Sequence, residues 1–472
     1  MPISSEKTPS STEEYSFSSL SLRKELLNNL LSLNYQQMTS IQAQSLPLML
    51  NKTDVIAQAQ TGSGKTVAFG LAILHHLKIE QNQVQALILC PTRELAEQVS
   101  QVLRQLARLL PNIKVLNLSG GMPMKPQADS LKYGAHIIVG TPGRIQKHLD
   151  KKTLILSHIN VVILDEADRM LDMGFLDSIR QILRCCPVKR QTLLFSATFT
   201  APIKQLAKEF MHHPQEIKIE EQANQQDIEQ IFFEVQDQSQ KYLVLQKILA
   251  HYQPKSTLIF CNTKEKTQEL VKQLNQDGFS VGLLNGDLEQ AERDQAIIQF
   301  SNQSRCILVA TDVAARGLDI KELPAVINYE LAFEPEVHVH RIGRTGRAGS
   351  KGFALSITTP KDAARLCAIE DLMTKPLSWL AVESLDSSKP ANLTPIMISL
   401  RLMAGRKEKI RPGDILGSLT KDAGLTADLI GKIDILALHS YVAIERSHAK
   451  KAYTHFQTGK IKGKKVGVQY LS

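Results

Sequence analysis

Three strings in this 472-residue chain hold side chains suited to chemistry on phosphates. The first, Ala59-Gln60-Thr61-Gly62-Ser63-Gly64-Lys65-Thr66, follows an apolar run and opens a helical pattern, the setting a phosphate-binding loop requires. Its glycines let backbone N–H groups turn toward phosphate oxygens, and a helix N-terminus adds partial positive charge. Lys65 then reaches the β- and γ-phosphates and Thr66 holds Mg²⁺. Ala59 stands where the general pattern has Gly, a change that a small residue tolerates. The second string, Asp165-Glu166-Ala167-Asp168, comes directly after the apolar Val161-Val162-Ile163-Leu164, so it lies at a carboxyl strand end, where open α/β sheets bind ligands. Phosphoryl transfer needs charge neutralisation and an aligned water. Asp165 suits Mg²⁺ ligation, Glu166 suits orienting or deprotonating the attacking water, and Asp168 is left for coupling contacts.

The third string is His340-Arg341-Ile342-Gly343-Arg344-Thr345-Gly346-Arg347, with arginines three apart. On a helix that spacing gives neighbouring positions of one face, and guanidinium groups supplied across a domain cleft stabilise charge on a transferring phosphoryl group. A glycine turn without ligand, an acidic helix cap and a solvated basic helix are the plainer readings of the three strings taken singly. The acidic cap does not explain separated motifs with matching roles. For the arginines, spacing alone leaves both readings standing.

Positioning these residues requires sheets. From about Phe17 to Glu221 short apolar runs (Asp54 to Ala57, Ala86 to Cys90, His136 to Val139, Val161 to Leu164, Thr192 to Phe195) alternate with helical patterns such as Leu95 to Leu109. Alternation of this kind predicts a parallel sheet covered on both faces. A second series, Thr257 to Phe260, Ser280 to Leu284, Cys306 to Ala310, Ala325 to Tyr329 and Phe353 to Ile357, predicts a second α/β domain. Polar Gln222 to Gln226 is the expected boundary, and a further linker runs from about Glu383 to Pro395. Beyond it the pattern reads strand Met397 to Leu402, helix Gly413 to Ala423, strands Gly431 to Ile435 and Ser440 to Ile444, helix Ala449 to Gln457 and strand Lys465 to Tyr470. That β-α-β-β-α-β order is the RNA-recognition (RRM) layout, shared with ferredoxin-like domains that bind no nucleic acid. The expected domains are a flexible tail over 1–16, α/β domains over 17–221 and 227–380, a linker over 381–395 and an α+β domain over 396–472.

Composition, 43% hydrophobic and 22% charged, is that of a soluble globular protein. The expectation is a cytoplasmic protein, since there is no run of about 18 apolar residues and no basic-then-apolar leader at the start. Cys90, Cys185, Cys186, Cys261, Cys306 and Cys367 form no C-x-x-C pair, which argues against disulfides and zinc. The net charge of +9 is concentrated at one end. Residues 396–472 carry 14 Lys and Arg against 6 Asp and Glu, leaving 42 against 41 for everything before them. A compact segment holding nearly all the excess favours a polyanionic partner over a merely solvated surface.

Together these strings resemble the DEAD-box ATP-dependent RNA helicases, over nearly all of residues 17–360. The resemblance implies two tandem RecA-like domains using ATP and Mg²⁺. It also implies an adenine-reading segment at Tyr35-Gln36-Gln37-Met38-Thr39-Ser40-Ile41-Gln42, with Phe17 upstream and Thr39 and Gln42 facing adenine; Met38 and Asn34 replace the Pro and Gly frequent there. Pro91-Thr92-Arg93-Glu94, Gly120-Gly121 and Thr141-Pro142-Gly143-Arg144 correspond to RNA-contacting strings, implicating Thr92, Arg93, Gly121, Thr141 and Arg144 in sequence-independent phosphate contacts. Ser196-Ala197-Thr198 corresponds to the coupling motif. In the second domain the resemblance assigns RNA contacts to Arg293 and Thr311, the ATP ribose to Asp319, and arginine fingers to Arg344 and Arg347.

The C-terminal strings Ile410-Arg411-Pro412-Gly413-Asp414-Ile415-Leu416-Gly417, Ile430-Gly431-Lys432-Ile433-Asp434 and Gly459-Lys460-Ile461-Lys462-Gly463-Lys464 resemble the DbpA subgroup. That subgroup binds 23S ribosomal RNA through this domain and acts in assembly of the 50S subunit. Tyr441 is the only aromatic on the third predicted strand and Met397 to Leu402 has none, so base stacking is not the main source of affinity. Arg406, Lys407, Lys432, Lys462 and Lys464 are the expected phosphate contacts. The resulting expectation is a monomeric motor that loosens short RNA duplexes, tethered to ribosomal RNA by its basic domain. The competing readings are a general RNA helicase or decay factor with an unspecific tail, an ATP-gated RNA clamp or chaperone, and, third, a DNA helicase.

Overall fold

The computed structural model describes residues 15–59, 63–218, 228–315, 323–346, 351–373, 376–386 and 393–471. The chain divides into two compact units, one built on Met1–Gln222 and the other on Ala223–Arg316 together with Ile320–Ser472.

The first unit is organised by seven parallel strands: β1 (Val55–Gln58), β2 (Ala86–Leu89), β3 (Val115–Leu118), β4 (Ile137–Gly140), β5 (Val161–Leu164), β6 (Gln191–Ser196) and β7 (Gln215–Lys218), in the order β3-β4-β2-β5-β6-β1-β7. Side chains alternate across a strand, and both faces are apolar here. Ala86 and Ile88 enter one core while Leu87 and Leu89 enter the other. Burial on both faces is why these segments read as continuous apolar runs rather than alternating ones. Parallel register then aligns carboxyl ends. Gln58 pairs with Ser196, and Leu164 pairs with Leu194 and Leu89, so the turns after β1, β5 and β6 converge on one edge.

The second unit holds two sheets. Six parallel strands, β8 (Ile228–Glu234), β9 (Thr257–Cys261), β10 (Val281–Leu284), β11 (Ile307–Thr311), β12 (Ala325–Asn328) and β13 (Gly352–Thr358), lie in the order β10-β11-β9-β12-β13-β8. Four antiparallel strands, β14 (Met397–Leu402), β15 (Ile430–Ile435), β16 (Ser440–Glu445) and β17 (Val468–Leu471), lie in the order β15-β16-β14-β17. Helices Pro412–Gly417 and Ala449–Thr458 cover one face of this small sheet, with Leu400, Ile415, Val442 and Phe456 in its core. The β-α-β-β-α-β order is as expected.

The other face of the small sheet is not open. Tyr441 and Leu471 pack with Ile298 of the Gln290–Ser301 helix, and Tyr441 is only 1% exposed. Around them Asn302 Nδ2 donates to Ser399 Oγ at 2.7 Å, and the Ser304 and Ser399 hydroxyls lie 2.7 Å apart.

Several elements depart from the expectations raised by the sequence. Strands β3, β7 and β8 were not anticipated; β7 is an edge strand with a single buried side chain, Ile217, and its polar neighbours mask it. The helix expected over Gly413–Ala423 begins at Pro412 and widens into a π-helix over Ser418–Asp422. Leu385, in the stretch expected to be linker, is buried in the core of the six-stranded sheet.

Candidate active site

The strand-end convergence builds the first site. Gly64 caps the Lys65–His76 helix with φ +97°, and a Cβ placed on it would stand 2.5 Å from Gln42 Nε2. Glycine is therefore demanded twice, by conformation and by space. Thr39 Oγ1 donates to the Ser63 carbonyl at 2.8 Å and Gln42 Nε2 to the Gly64 carbonyl at 3.1 Å, so both bracket the loop. Phe17 is buried edge-on to Tyr35. The Lys65 ammonium, 6% exposed, donates to the Ala59 carbonyl at 2.8 Å, and Thr66 is half-buried beside it in the chain. Gln60, Thr61 and Gly62 lie outside the described residues.

At the end of β5, Asp165 is 2% exposed and its Oδ1 has no hydrogen-bond partner. Burial pushes its carboxyl up to about 6, against the pull of the Lys65 charge and helped by the adjacent Glu166. Burial of this kind favours the neutral carboxyl, and a facing cation would favour the anion. Glu166 takes a left-handed backbone, φ 53°, at the N-cap of the Ala167–Asp172 helix without capping it through its side chain. Strain of this kind concentrates at functional positions. The plainer reading of these acids as a helix cap is thus half true, of Glu166's position only. Asp168 has a different use. Its Oδ2 accepts from the Ala197 and Thr198 amides at 3.0 and 3.1 Å and from Thr198 Oγ1 at 3.3 Å, joining the end of β5 to the end of β6.

The RNA-string residues gather at the neighbouring ends of β2, β3 and β4. Thr92 caps the Arg93–Leu106 helix, Thr141 caps Pro142–Asp150, and Gly121 has φ +79°. A Cβ on Gly120 would lie 3.0 Å from Arg93 Nε. Arg144 donates to Met122 O at 2.9 Å and Gln127 Oε1 at 2.7 Å, while burial and the nearby Arg93 charge hold its guanidinium below its ordinary range. Two guanidinium groups are thus held close together.

In the second unit Arg293 Nη2 donates to Ala314 O at 2.7 Å, and Thr311 ends β11, nearly buried. The helix carrying the arginine string, Pro335–Ile342, stops with Gly343 as its cap. Arg344 therefore sits in the following turn, not on a shared helix face with its neighbour as expected, because Gly343 ends the helical run. Arg347 and Asp319 lie outside the described residues. Sequence reasoning gave Arg341 no task, yet it is heavily bonded. Its Nε and Nη2 fork onto Asp312 at 2.6 and 2.7 Å, and it also donates to Asn262 Oδ1 at 2.8 Å and Glu330 O at 2.5 Å. It clamps the carboxyl ends of β9, β11 and β12. Only its place within an Arg triplet could have flagged it.

On the small domain Arg406, Lys407, Lys462 and Lys464 are exposed, and Lys462 Nζ reaches the Lys409 carbonyl and Asp414, each at 2.9 Å. The two basic loops therefore form one surface. Lys432 does not join it: its ammonium lies 3.4 Å from Ser301 Oγ and 3.3 Å from Asp434. Among the described residues no cluster of three metal-ligating side chains occurs, and no helix is long and apolar enough to cross a membrane.

A phosphate loop, an acidic strand end coupled to the β6 turn, and a second parallel sheet carrying an arginine clamp define a two-part nucleic-acid motor. Family models agree: DEAD/DEAH box helicase matches residues 39–206, helicase conserved C-terminal domain matches 240–349, and DbpA RNA binding domain matches 399–470. The chain belongs to the DEAD-box ATP-dependent RNA helicases, in the DbpA subgroup, and is an RNA-stimulated ATPase. It is 49% identical to the ATP-dependent RNA helicase DbpA of Escherichia coli (strain K12) over 94% of this chain and 97% of that one. It is 41% identical to the DEAD-box ATP-dependent RNA helicase CshA of Geobacillus kaustophilus (strain HTA426), over 79% of each. Among solved structures, S. cerevisiae Dbp5 bound to RNA and ADP BeF3 superposes with a TM-score of 0.72 at 33% identity, covering 79% of this chain and 97% of that one.

Proposed function

We propose that this helicase loosens short duplexes in 23S ribosomal RNA during assembly of the 50S subunit, as a cytoplasmic monomer. The observation that carries the reading is the exposed basic surface of the Arg406–Lys409 and Lys460–Lys465 loops, on a domain of the DbpA RNA-binding kind. In this reading ATP lies on the 59–66 loop with Phe17, Thr39, Gln42 and Asp319 around its nucleoside. Lys65 neutralises phosphate charge, Glu166 orients or deprotonates water, and Arg344 and Arg347 stabilise the charge that develops on the transferring group. Asp165 and Thr66 hold Mg²⁺, whose contribution is to neutralise phosphate oxygens. The buried, unpartnered Asp165 Oδ1 is the donor such a cation satisfies. Thr92, Arg93, Gly121, Thr141, Arg144, Arg293 and Thr311 contact backbone phosphates, and Arg406, Lys407, Lys462 and Lys464 contact ribosomal RNA.

The test compares ATPase stimulation by 23S rRNA fragments and by random RNA, in the full chain and in a variant carrying Arg406→Glu and Lys464→Glu. A fragment that stimulates the parent far better than random RNA, with the preference lost in the variant, is the expected result. Equal stimulation by all RNAs in both proteins overturns the ribosomal reading and leaves a general RNA helicase. Separately, Glu166→Gln should keep ATP binding and lower RNA-stimulated turnover by about 10²- to 10⁴-fold; unchanged turnover removes Glu166 from its role.

A further inference from the structure

Outside the ATP loop, the second unit contains a cavity of about 350 Å³ at the seam between the six-stranded sheet and the basic domain. Its walls come from three sources. Val281, Gly282 and Leu283 belong to β10, the edge strand of the sheet. Gln299 and its helical neighbours come from the Gln290–Ser301 helix, and Arg305 and Arg401 supply two guanidinium groups. Gln299 is only 4% exposed, yet its Nε2 has no hydrogen-bond partner, and Arg401 Nε is likewise buried and unpartnered.

Buried donors are almost always satisfied. Here the unpartnered Gln299 amide and Arg401 Nε line one cavity, so the missing partner is an acceptor, and the Arg401 charge favours an anion. Glu292 is the one carboxylate among the described lining residues, and its Oε2 already accepts from the Glu289 amide at 3.0 Å at the helix start. Planar guanidinium forks match phosphate oxygens. Val271, Val281 and Ala296 add apolar lining, and the edge of β10 offers backbone groups to a flat polar ring.

We propose that this seam cavity is a nucleotide subsite, its phosphate held by Arg305, Arg401 and the Gln299 amide and its base laid on the β10 edge. The site is distinct from the ATP loop and from the basic loops, and it does not rest on the ribosomal target. Both a phosphodiester within an RNA strand and a free mononucleotide carry the required phosphate.

The experiment uses the full chain with a non-hydrolysable ATP analogue filling the loop site. Binding of oligouridylate is measured by fluorescence anisotropy across a salt series, and binding of UMP by saturation-transfer NMR. For a strand phosphodiester, Arg401→Gln weakens oligouridylate binding by about 3- to 10-fold and lowers the salt slope by about one contact, while Arg401→Lys restores the slope. For a free nucleotide, only the UMP signal is lost in Arg401→Gln. Ser399→Ala, which disturbs the seam but keeps the guanidinium, leaves the binding that Arg401→Gln removes. The proposal is overturned if Arg401→Gln changes neither ligand, or if Ser399→Ala reproduces its effect.

Discussion

Replacing Asp165 by Asn should make the ligand-free protein more stable while abolishing its ATPase. The carboxyl is pushed by burial from 3.8 to about 6, so the folded state binds its proton more tightly than the unfolded chain does. The sign comes from linkage: stability declines as pH rises from about 4 to about 6 and stays reduced at neutral pH. At about 1.4 kcal/mol for each tenfold change in affinity, the ionised carboxylate costs about 3 kcal/mol at pH 7.5. Asn has the same shape and no charge, and it recovers most of that. Because the chain holds two compact units, a single unfolding transition is not assumed. Amide hydrogen exchange in β5 and β6, followed against urea, reports the first unit specifically. Protection should rise in Asp165→Asn at pH 7.5, and the gain should shrink to nothing near pH 4. A variant that is no more stable at pH 7.5, or equally stabilised at both pH values, refutes the argument that desolvation of a functional carboxylate is being tolerated here.

Three further outcomes rest on individual contacts. Gly64→Ala forces a Cβ to within 2.5 Å of Gln42 Nε2 at a positive φ; fluorescent-nucleotide titration should show ATP affinity reduced by at least tenfold, and a retained affinity would show that the loop yields. Asp168→Ala removes the carboxylate bridging to the Ala197 and Thr198 amides, and strand displacement should fall by more than tenfold while ATPase falls less; an equal fall in both contradicts a coupling role. Arg341→Lys gives up the bidentate fork on Asp312 in a buried setting, for which a loss of about 3 kcal/mol is expected by urea titration of the second unit, and a change below about 0.5 kcal/mol would show that an ammonium suffices.

The features legible in the sequence were those contiguous in it. Lys65 with its glycines, and Asp165 with Glu166, each occupy a single strand-to-helix turn, so spacing alone carried the geometry. Arg341 was opaque because Asn262, Asp312 and Glu330 come from three different strand ends, and only the sheet order β11-β9-β12 brings them together. Arg344 was misplaced onto a helix because a three-residue spacing says nothing of where Gly343 ends it. The burial of Tyr441 against Ile298 agrees with the expectation that base stacking contributes little, but its cause is hidden in the sequence, because the complementary apolar residue lies far away in the chain, on a helix with polar neighbours. Strand β7 was missed because an edge strand needs apolar residues on one side only.

The covered face of the small sheet also changes what the basic domain is mechanically. A module joined only by a linker would act as a leash, holding its target within reach and transmitting no load. Here the Ser399, Asn302 and Ser304 contacts and the Tyr441, Leu471 and Ile298 cluster seat it directly on the Gln290–Ser301 helix, the helix that also carries Arg293. Under the proposed function, a pull on RNA held by the basic loops would reach that helix through packed side chains rather than through a linker, and the domain would act as a lever arm.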